Sequence, residues 1–212
     1  MNLPCPLCNS NTQKDTIPAT QNRILYHCTE CNLVFAHPHD LLSTSEEQAR
    51  YNTHKNGIEY PGYVKFLMQA IDQAIPYLHK KSHGLDFGCG PGPTLNLLLE
   101  QRGFLCDIYD PFYFPTLRKK IYDFVFATEC FEHFYNPNKE IITIHEHLAT
   151  QGILVIMTEL WTHTQQFIKW YYAADPTHVI FFNATTFEYI CATFGFTQLP
   201  SSNERVIILK KE

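Results

Sequence analysis

Four cysteines near the amino terminus have the spacing of metal ligands. They form two Cys-x-x-Cys pairs, Cys5 with Cys8 and Cys28 with Cys31. Each pair makes a turn that directs two thiolates at one ion, and two such pairs complete the tetrahedral shell that holds zinc. A shell of four thiolates leaves no position for water, so the spacing predicts a structural Zn²⁺. Two redox-active or disulfide pairs are the alternative, which a reducing compartment disfavours.

The residues around these cysteines do not suggest a nucleic-acid interface. Residues 1–40 carry two basic side chains against three acidic ones, whereas binding to RNA requires a basic face. We therefore predict a zinc ribbon over residues 1–40 that serves as a substrate-side lid or an interaction surface.

A glycine-rich stretch, LDFGCGPGP (85–93), stands between a predicted strand and a predicted helix. Glycine permits unusual backbone angles and lets a ligand touch the main chain, while a helix start offers free N–H groups to an anion. The stretch is not a dinucleotide loop, since Pro93 stands where the third glycine belongs, and it lacks the Gly-Lys-Ser/Thr of a P-loop. An acidic residue that ends the second strand usually binds ribose hydroxyls, which points to Asp110. Three glycines alternate with other residues in the stretch: Gly88, Gly90 and Gly92.

The rest of the chain alternates apolar runs of strand length with helical patterns. We predict strands near 84–88, 104–109, 122–127, 152–158, 196–199 and 205–210. We predict helices from Pro61 onward and near 93–102, 137–149, 164–173 and 185–194. Such alternation is typical of an α/β fold with a mainly parallel sheet and helices on both faces. With 212 residues, of which 45% are apolar, the chain suits one main domain and a small appendage.

Several segments together resemble a known family. LDFGCGPG looks like the first motif of class I S-adenosylmethionine-dependent methyltransferases. YDFVFATECFEHF (122–134) is similar to the fourth-strand motif of that family, which ends in an acidic–His pair, here Glu132 and His133. LATQGILVIMT (148–158) resembles the fifth strand, and DPTHVIFFNATTFEYICATFGF (175–196) resembles the late segment of its small-molecule enzymes. The whole chain resembles bacterial methyltransferases that join a zinc ribbon to this domain.

The resemblance covers about 84–210 and implies a Rossmann-like sheet, S-adenosylmethionine as cofactor, and methyl transfer. In the family, the glycine loop would hold the methionine portion of the cofactor, and Asp86 would order the loop. Asp110 would take the ribose, and Glu129 would lie close to the transferred methyl group. The predicted cofactor-binding residues are Asp86, Gly88, Cys89, Gly90, Gly92, Asp110, Pro111, Phe112, Thr128, Glu129 and Tyr63.

One departure from the family lies between its second and fourth strands. Only PFYFPTLRKKIY (111–122) separates Asp110 from Asp123, and its two prolines and basic cluster leave no room for a helix and a strand. We predict that this unit is missing and that about six strands remain. Phe112 or Tyr113 would then stack on the adenine, because an aromatic face suits a flat base. The alternative is that these aromatics only cap an exposed sheet edge.

Methyl transfer from a sulfonium requires alignment and, for a hydroxyl or carbon acid, a proton acceptor. Histidine suits that role because it titrates near neutral pH. We predict His178 as the base, with His133 and Glu129 as further catalytic candidates. The alternative for each histidine is a hydrogen-bonded structural role. The aromatic segments 51–63 and 161–179 would cover the cofactor and build the substrate side.

Charge and hydrophobicity restrict the partners. The net charge is −5, without a long run of like charges, which argues against nucleic acid and against an electrostatic membrane anchor. The longest apolar runs are too short to span a bilayer, and the amino terminus does not resemble a secretory signal, so we expect a cytoplasmic protein.

These observations predict a ribbon (1–40), a helical connector and cofactor cap (41–83), and a methyltransferase domain (84–212). The predicted acceptor is a small-molecule substrate or a carrier-linked metabolite. Two alternatives remain: methylation of RNA or protein that docks on the ribbon, and a non-catalytic cofactor-binding scaffold.

Overall fold

The computed structural model describes residues 3–11 and 15–212, so residues 1–2 and 12–14 of the predicted ribbon lie outside the described residues. The described strands are β1 (Asp15–Pro18), β2 (Ile24–His27), β3 (Val34–Ala36), β4 (His83–Phe87), β5 (Leu105–Tyr109), β6 (Tyr122–Thr128), β7 (Leu148–Met157), β8 (Ile180–Phe181), β9 (Phe196–Leu199) and β10 (Val206–Lys211). The α-helices are α1 (Thr44–Tyr51), α2 (Pro61–Ala74), α3 (Leu95–Glu100), α4 (Pro137–His147) and α5 (Ala184–Phe194). None of the described helices has the length and apolar character needed to cross a membrane.

The larger sheet has six strands in the order β5-β4-β6-β7-β10-β9. β4 pairs in parallel with β5 and β6, and β6 pairs in parallel with β7. β10 runs antiparallel to both of its neighbours. The predicted Rossmann-like, mainly parallel sheet is thus confirmed, with an antiparallel pair at one edge. Because β4, β5 and β6 are parallel, the loops after their carboxyl ends meet at one edge, where ligands bind in such sheets.

Helices cover both faces of this sheet because successive strand residues point to opposite sides. On β6, Phe124 and Phe126 pack against the apolar sides of α2 and α3. Val125 and Ala127 belong to the cluster that includes residues of α4 and α5. The predicted helix starts also hold at α4, where the side chain of Asn136 caps the first turn and Pro137 follows it.

The connection between β5 and β6 is as short as the sequence predicts. Between Asp110 and β6 the described chain forms neither a helix nor a strand, apart from an isolated bridge from Asp110 to Phe114. The predicted absence of a helix and a strand between β5 and β6 is therefore confirmed for the described chain, and β5 is an edge strand.

The ribbon packs onto the larger unit. Its sheet has the order β1-β2-β3-β8, so a strand from the late part of the chain completes it. Val34 and Phe181 are partners in the antiparallel pairing of β3 with β8. Leu25 and Phe35 of the ribbon lie in the same hydrophobic cluster as Phe182. The ribbon and the six-stranded sheet therefore share a continuous core.

The predicted helix over 164–173 is wrong. Two short 3-10 helices, Thr164–Ile168 and Tyr171–Ala174, occupy this segment. The rings of Trp170 and Tyr172 contact each other, with centroids 5.3 Å apart. Residues two apart in an α-helix point in nearly opposite directions, so burying both rings together favours the irregular path.

Candidate active site

The glycine loop follows β4 and is held to the end of β5 by backbone hydrogen bonds. The N–H groups of Gly88 and Cys89 donate to the carbonyl oxygen of Tyr109 at 2.8 and 3.1 Å. Gly88 and Gly90 have φ values of +80° and +67°, a left-handed conformation that glycine adopts without steric cost. A Cβ at Gly88 would lie 2.4 Å from the Sγ of Cys130, so the loop passes too close to the segment after β6 for a larger residue.

Asp110 joins this loop to the turn after β5. Its Oδ2 accepts from the N–H of Gly90 at 2.9 Å, and its Oδ1 accepts from the N–H groups of Phe112 and Tyr113 at 2.9 and 3.1 Å. The side chain is almost fully buried at the wall of a cavity. These three bonds fix the carboxylate and leave it with free lone pairs, so its predicted contact with a ribose stays open to test.

The loops surround a cavity of about 550 Å³, a size typical of small-ligand and cofactor sites. The predicted site residues that line it are Tyr63, Gly88, Cys89, Gly90, Asp110, Pro111, Phe112, Thr128, Glu129, His133 and His178. Two predicted cofactor-binding residues, Asp86 and Gly92, do not line it. The bare glycine backbone and the size of the cavity fit S-adenosylmethionine.

Asp86 lies behind the glycine loop and is only 2% exposed. Burial, together with the carboxylate of Asp110, raises the pKa of Asp86 to about 7. Within the part of the chain that the structure describes, no hydrogen bond links its carboxylate to the loop. Any ordering of the loop by Asp86 is therefore electrostatic or steric.

The connector before α2 closes over the loop. A Cβ at Gly92 would lie 2.2 Å from the carbonyl oxygen of Asn56, so glycine is required where the two segments meet. Tyr113 donates to Asn52 Oδ1 at 2.7 Å and so holds the connector, whereas Phe112 lines the cavity. Five connector residues before α2 line the cavity as well: Thr44, Glu47, Tyr51, His54 and Asn56. Sequence reasoning missed Asn56, which carries no motif.

Glu129 combines an unusual backbone with an unpaired carboxylate. Its φ is +48°, which is uncommon for any residue with a side chain. Its Oε1 is buried without a hydrogen-bond partner. Burial, and then the nearby carboxylate of Glu132, raises the pKa of Glu129 to about 9. Such strain and such unpaired groups concentrate at functional sites.

His133 and His178 lie edge to face, with ring centroids 4.8 Å apart. The Nδ1 of His133 donates to the carbonyl oxygen of Thr177 at 3.0 Å, and the Nδ1 of His178 donates to that of Tyr172 at 2.7 Å. Burial, and then the presence of His178, lowers the pKa of His133 to about 3. Burial lowers the pKa of His178 to about 4. Both rings are therefore neutral at pH 7, and each Nε2 carries a lone pair.

Glu132 completes this cluster, although sequence reasoning named it only as part of a family motif. Its side chain is 0% exposed. Its Oε2 accepts from the hydroxyl of Thr158 at 2.9 Å, while its Oε1 has no partner. Burial raises the pKa of Glu132 to about 7. Its position directly before His133 was visible in the sequence, but its proximity to His178 depends on the fold.

The segment that carries His178 is braced from the ribbon. Arg23 donates through Nη1 to the carbonyl oxygens of Ala173 and Asp175 at 2.8 and 3.0 Å, and through Nη2 to that of His178 at 2.8 Å. Arg50 forms an ion pair of 2.6 Å with the carboxylate of Asp175. Sequence reasoning missed Arg23, for which the only signal was its place among the few charges of the ribbon.

A second cavity of about 460 Å³ adjoins the first. Polar and aromatic side chains contribute much of its wall, among them Arg50, Tyr171, Tyr172, Asp175 and Arg205. Three residues line both cavities: Phe66, Glu129 and His178.

The four ribbon cysteines form one compact group. The Sγ atoms of Cys5 and Cys31 are 3.6 Å apart, as are those of Cys8 and Cys28, and all four lie within 4.8 Å of one another. Around a tetrahedral zinc with Zn–S bonds of about 2.3 Å, sulfur atoms are about 3.8 Å apart. The neighbouring thiols of Cys28 and Cys5, and then burial, raise the pKa of Cys31, so a cation is needed before all four ionise. The donor set fits the predicted structural zinc.

Comparison with known proteins gives one family. A model of the methyltransferase domain family matches residues 60–200, whereas a search of curated proteins finds no match. Among solved structures, the PH0226 protein from Pyrococcus horikoshii OT3 is 15% identical with a TM-score of 0.53, over 77% of this chain and 99% of that one. A chain of the complex between the Haloferax volcanii Trm112 methyltransferase activator and a methyltransferase is 10% identical with a TM-score of 0.52, over 78% and 97%.

Coclaurine N-methyltransferase bound to N-methylheliamine and SAH is 17% identical with a TM-score of 0.45. The match covers 65% of this chain and 50% of that enzyme, so the chain spans about half of the enzyme's length. At 15% and 10% identity, the two structures with TM-scores above 0.5 show a shared fold and nothing finer.

Proposed function

Because the chain belongs to the methyltransferase domain family, we propose that it transfers the methyl group of S-adenosylmethionine to a small-molecule or carrier-linked acceptor. The observation that carries this proposal is the junction of two cavities. The glycine-loop cavity fits the cofactor, and the smaller neighbour shares Phe66, Glu129 and His178 with it. An acceptor in the second cavity would therefore meet the cofactor at these three side chains.

The cofactor side is built from main chain and from one fixed carboxylate. Gly88 and Gly90 expose backbone to a ligand. Asp110 is held by three N–H groups and keeps lone pairs that can accept from ribose hydroxyls. Phe112 offers a flat apolar face to the adenine. A cationic amino group near Asp86 would favour its ionised form.

When bound, S-adenosylmethionine supplies an electrophilic methyl group: the acceptor's lone pair bonds to its carbon, the C–S pair stays on sulfur, and the acceptor's proton must leave. Glu129 and His178 are the titratable groups that line both cavities, so we assign the proton to one of them. The raised pKa of Glu129 keeps it protonated at pH 7 unless positive charge approaches. His178 presents a neutral Nε2.

Calorimetry with S-adenosylmethionine tests the cofactor side. Asp110→Ala should weaken binding by about 1–3 kcal/mol, which is about 5- to 150-fold, because a buried hydrogen-bonding partner is lost. Asp107→Asn is the matched control, since Asp107 lies on β5 three residues before Asp110 and pairs with His83 and Arg118 away from the cavity. Equal affinities for the wild type and Asp110→Ala would count against the assignment.

Formation of S-adenosylhomocysteine with a panel of small oxygen, nitrogen and carbon acceptors tests the acceptor side. Turnover that falls in Glu129→Gln while cofactor affinity holds would support transfer at the junction. Cofactor binding without turnover on any acceptor would favour the scaffold. Turnover only with RNA or protein, with affinity that falls steeply with salt in the case of RNA, would replace the small-molecule acceptor with a macromolecule.

A further inference from the structure

The interior of the molecule holds a carboxylate oxygen that nothing in the described chain satisfies. Glu132 is 0% exposed, and its Oε1 has no hydrogen-bond partner. Burying a charged or polar oxygen without a partner is costly, so such atoms usually face a ligand, an ion or water. The other oxygen of the same carboxylate is fixed by Thr158, which is itself hydrogen-bonded to the hydroxyl of Tyr172 at 3.0 Å. The unpaired oxygen is thereby aimed rather than free to turn.

Two imidazoles close to this carboxylate are in the tautomer that metal ligands use. The Nδ1–H of each donates to a backbone carbonyl, that of Thr177 for His133 and that of Tyr172 for His178. This leaves both Nε2 lone pairs without a proton, and a hydrogen bond from the other ring nitrogen is what orients most histidine ligands of metals. The backbone also locks the group, because the N–H of Val179 donates to the carbonyl oxygen of Glu132 at 2.9 Å.

The three side chains converge without bonding to one another. One ligand atom from each of Glu132, His133 and His178 lies within 4.8 Å of the other two. The Oε1 of Glu132 is 4.0 Å from the Nε2 of His133, which is too long for a hydrogen bond. Ligands about 2.1 Å from one ion are about 3.0–3.4 Å apart, so side-chain shifts of about 1 Å would close the shell.

We propose that Glu132, His133 and His178 bind a divalent first-row metal ion at the junction of the two cavities, separate from the zinc of the ribbon. Two imidazoles and one carboxylate form a donor set that such ions accept while keeping open coordination positions. His133 lines the cofactor cavity, and His178 and Glu129, with its unpaired Oε1, line both this cavity and the neighbouring one proposed for the acceptor. The open positions therefore face the place where an acceptor would lie.

A role for the ion follows, and this step rests on the proposed function. A metal ion binds an acceptor through oxygen and lowers the pKa of a bound hydroxyl. It would favour acceptors that carry an oxygen donor, and it would occupy the Nε2 of His178, which leaves Glu129 to accept the proton. The positive charge of the ion would also favour the ionised form of Glu129.

Binding of Mn²⁺ tests the site without cofactor or acceptor. Hard Mn²⁺ suits oxygen and imidazole ligands and competes poorly for four thiolates, so the ribbon can keep its zinc. Titration of the full chain, followed by the loss of the electron paramagnetic resonance signal of free Mn²⁺, should show one Mn²⁺ per chain. Glu132→Gln should weaken this binding by about 100-fold or more, since even the loss of an outer partner costs 10–100-fold. His79→Gln, at an exposed histidine far from the three proposed ligands in the sequence, should bind Mn²⁺ with the affinity of the wild type.

Zinc content separates this site from the ribbon and from misfolding. Wild type purified with Zn²⁺ should hold two equivalents, and Glu132→Gln one. If Glu132→Gln loses the ribbon zinc as well, it is misfolded, and His178→Asn takes its place with the same expected results. Folded wild type that holds one zinc and takes up no Mn²⁺ would overturn the proposal, as would Mn²⁺ binding of equal affinity in the folded variant. Metal binding in a protein that never turns over would leave the site standing and remove only its role in methyl transfer.

Discussion

The two clusters of ligand-type side chains differ in how the sequence encodes them. In the ribbon, Cys5, Cys8, Cys28 and Cys31 come from two short turns, and their sulfur atoms pair off at 3.6 Å. In the second cluster, at the junction of the two cavities, Glu132 and His133 follow β6. His178 comes from an irregular segment far away in the sequence. The first cluster is therefore specified by spacing and the second by tertiary packing.

The clusters also differ in how far the protein satisfies them. The four ribbon sulfur atoms lie close to one another and form a donor set suited to zinc. Around the junction, Glu129 and Glu132 each keep a buried oxygen without a partner, and Glu129 has a strained backbone. Unpaired and strained groups of this kind reduce stability and are retained where function needs them. The ribbon should thus stabilise the fold, while the junction should destabilise it.

Arg23 connects the two regions. It lies in the ribbon between β1 and β2, and its guanidinium holds three carbonyl oxygens of the segment that carries His178. The shared sheet, in which β8 pairs with β3, joins the same two parts. The ribbon can in this way set the position of His178, which the four cysteines do not touch.

Loss of a ribbon ligand should have the largest effect of any change considered. Structural zinc contributes about 10 kcal/mol or more to small zinc modules, which is comparable to the whole stability of a domain. Because the ribbon shares its core with the main sheet, we expect Cys28→Ser to be largely unfolded or insoluble. Metal analysis and thermal unfolding by circular dichroism would measure this.

Cys191→Ser is the control for that experiment, since Cys191 is half-buried on α5 outside the cluster. We expect it to retain its zinc and an unfolding temperature within a few degrees of the wild type. A Cys28→Ser protein with a full zinc equivalent and an unchanged unfolding temperature would contradict the assignment of the ribbon as a stabilising metal centre.

An intermediate effect is expected for Arg23→Ala, which tests the connection between the regions. The loss of three hydrogen bonds from a charged donor should lower the free energy of unfolding by about 2–4 kcal/mol. The freed segment should also weaken binding of Mn²⁺ at the junction by about tenfold while zinc in the ribbon is retained. Urea unfolding and Mn²⁺ titration measure the two effects. Arg118→Ala, at a more exposed guanidinium that pairs with Asp107, should change neither. Equal Mn²⁺ affinity in Arg23→Ala and the wild type would show that the brace is not needed.

How much could be predicted follows the same division between local and tertiary signals. The six predicted strands, the glycine loop, the short β5–β6 connection and the cysteine group come from local patterns, and the structure has each of them. Strands β1, β2, β3 and β8 were not predicted. The helix over 164–173 fails because Trp170 and Tyr172 bury against each other, a contact that no local pattern contains. Glu132 and Arg23 were missed as site residues for a related reason, since their partners lie on other parts of the chain.

The smallest expected effect concerns Asp86. Its buried carboxyl group should lower the stability of the fold when it ionises, whereas the ribbon ligands should raise it. The folded-state pKa of about 7 lies above the ordinary value of 3.8, so the folded protein holds a proton that the unfolded chain has lost. Stability from this proton is complete below about pH 3.8 and is lost as pH rises through 7; between pH 6 and 8 the loss is about 1.4 kcal/mol.

Asp86→Asn cannot titrate, so its free energy of unfolding without cofactor should fall less than that of the wild type over this range by that amount. Urea unfolding at both pH values isolates the term, because Glu132 and the other carboxyls titrate in both proteins. Parallel falls in the two proteins would mean that Asp86 is already charged and paired at pH 6, which would contradict a raised pKa for this buried carboxyl.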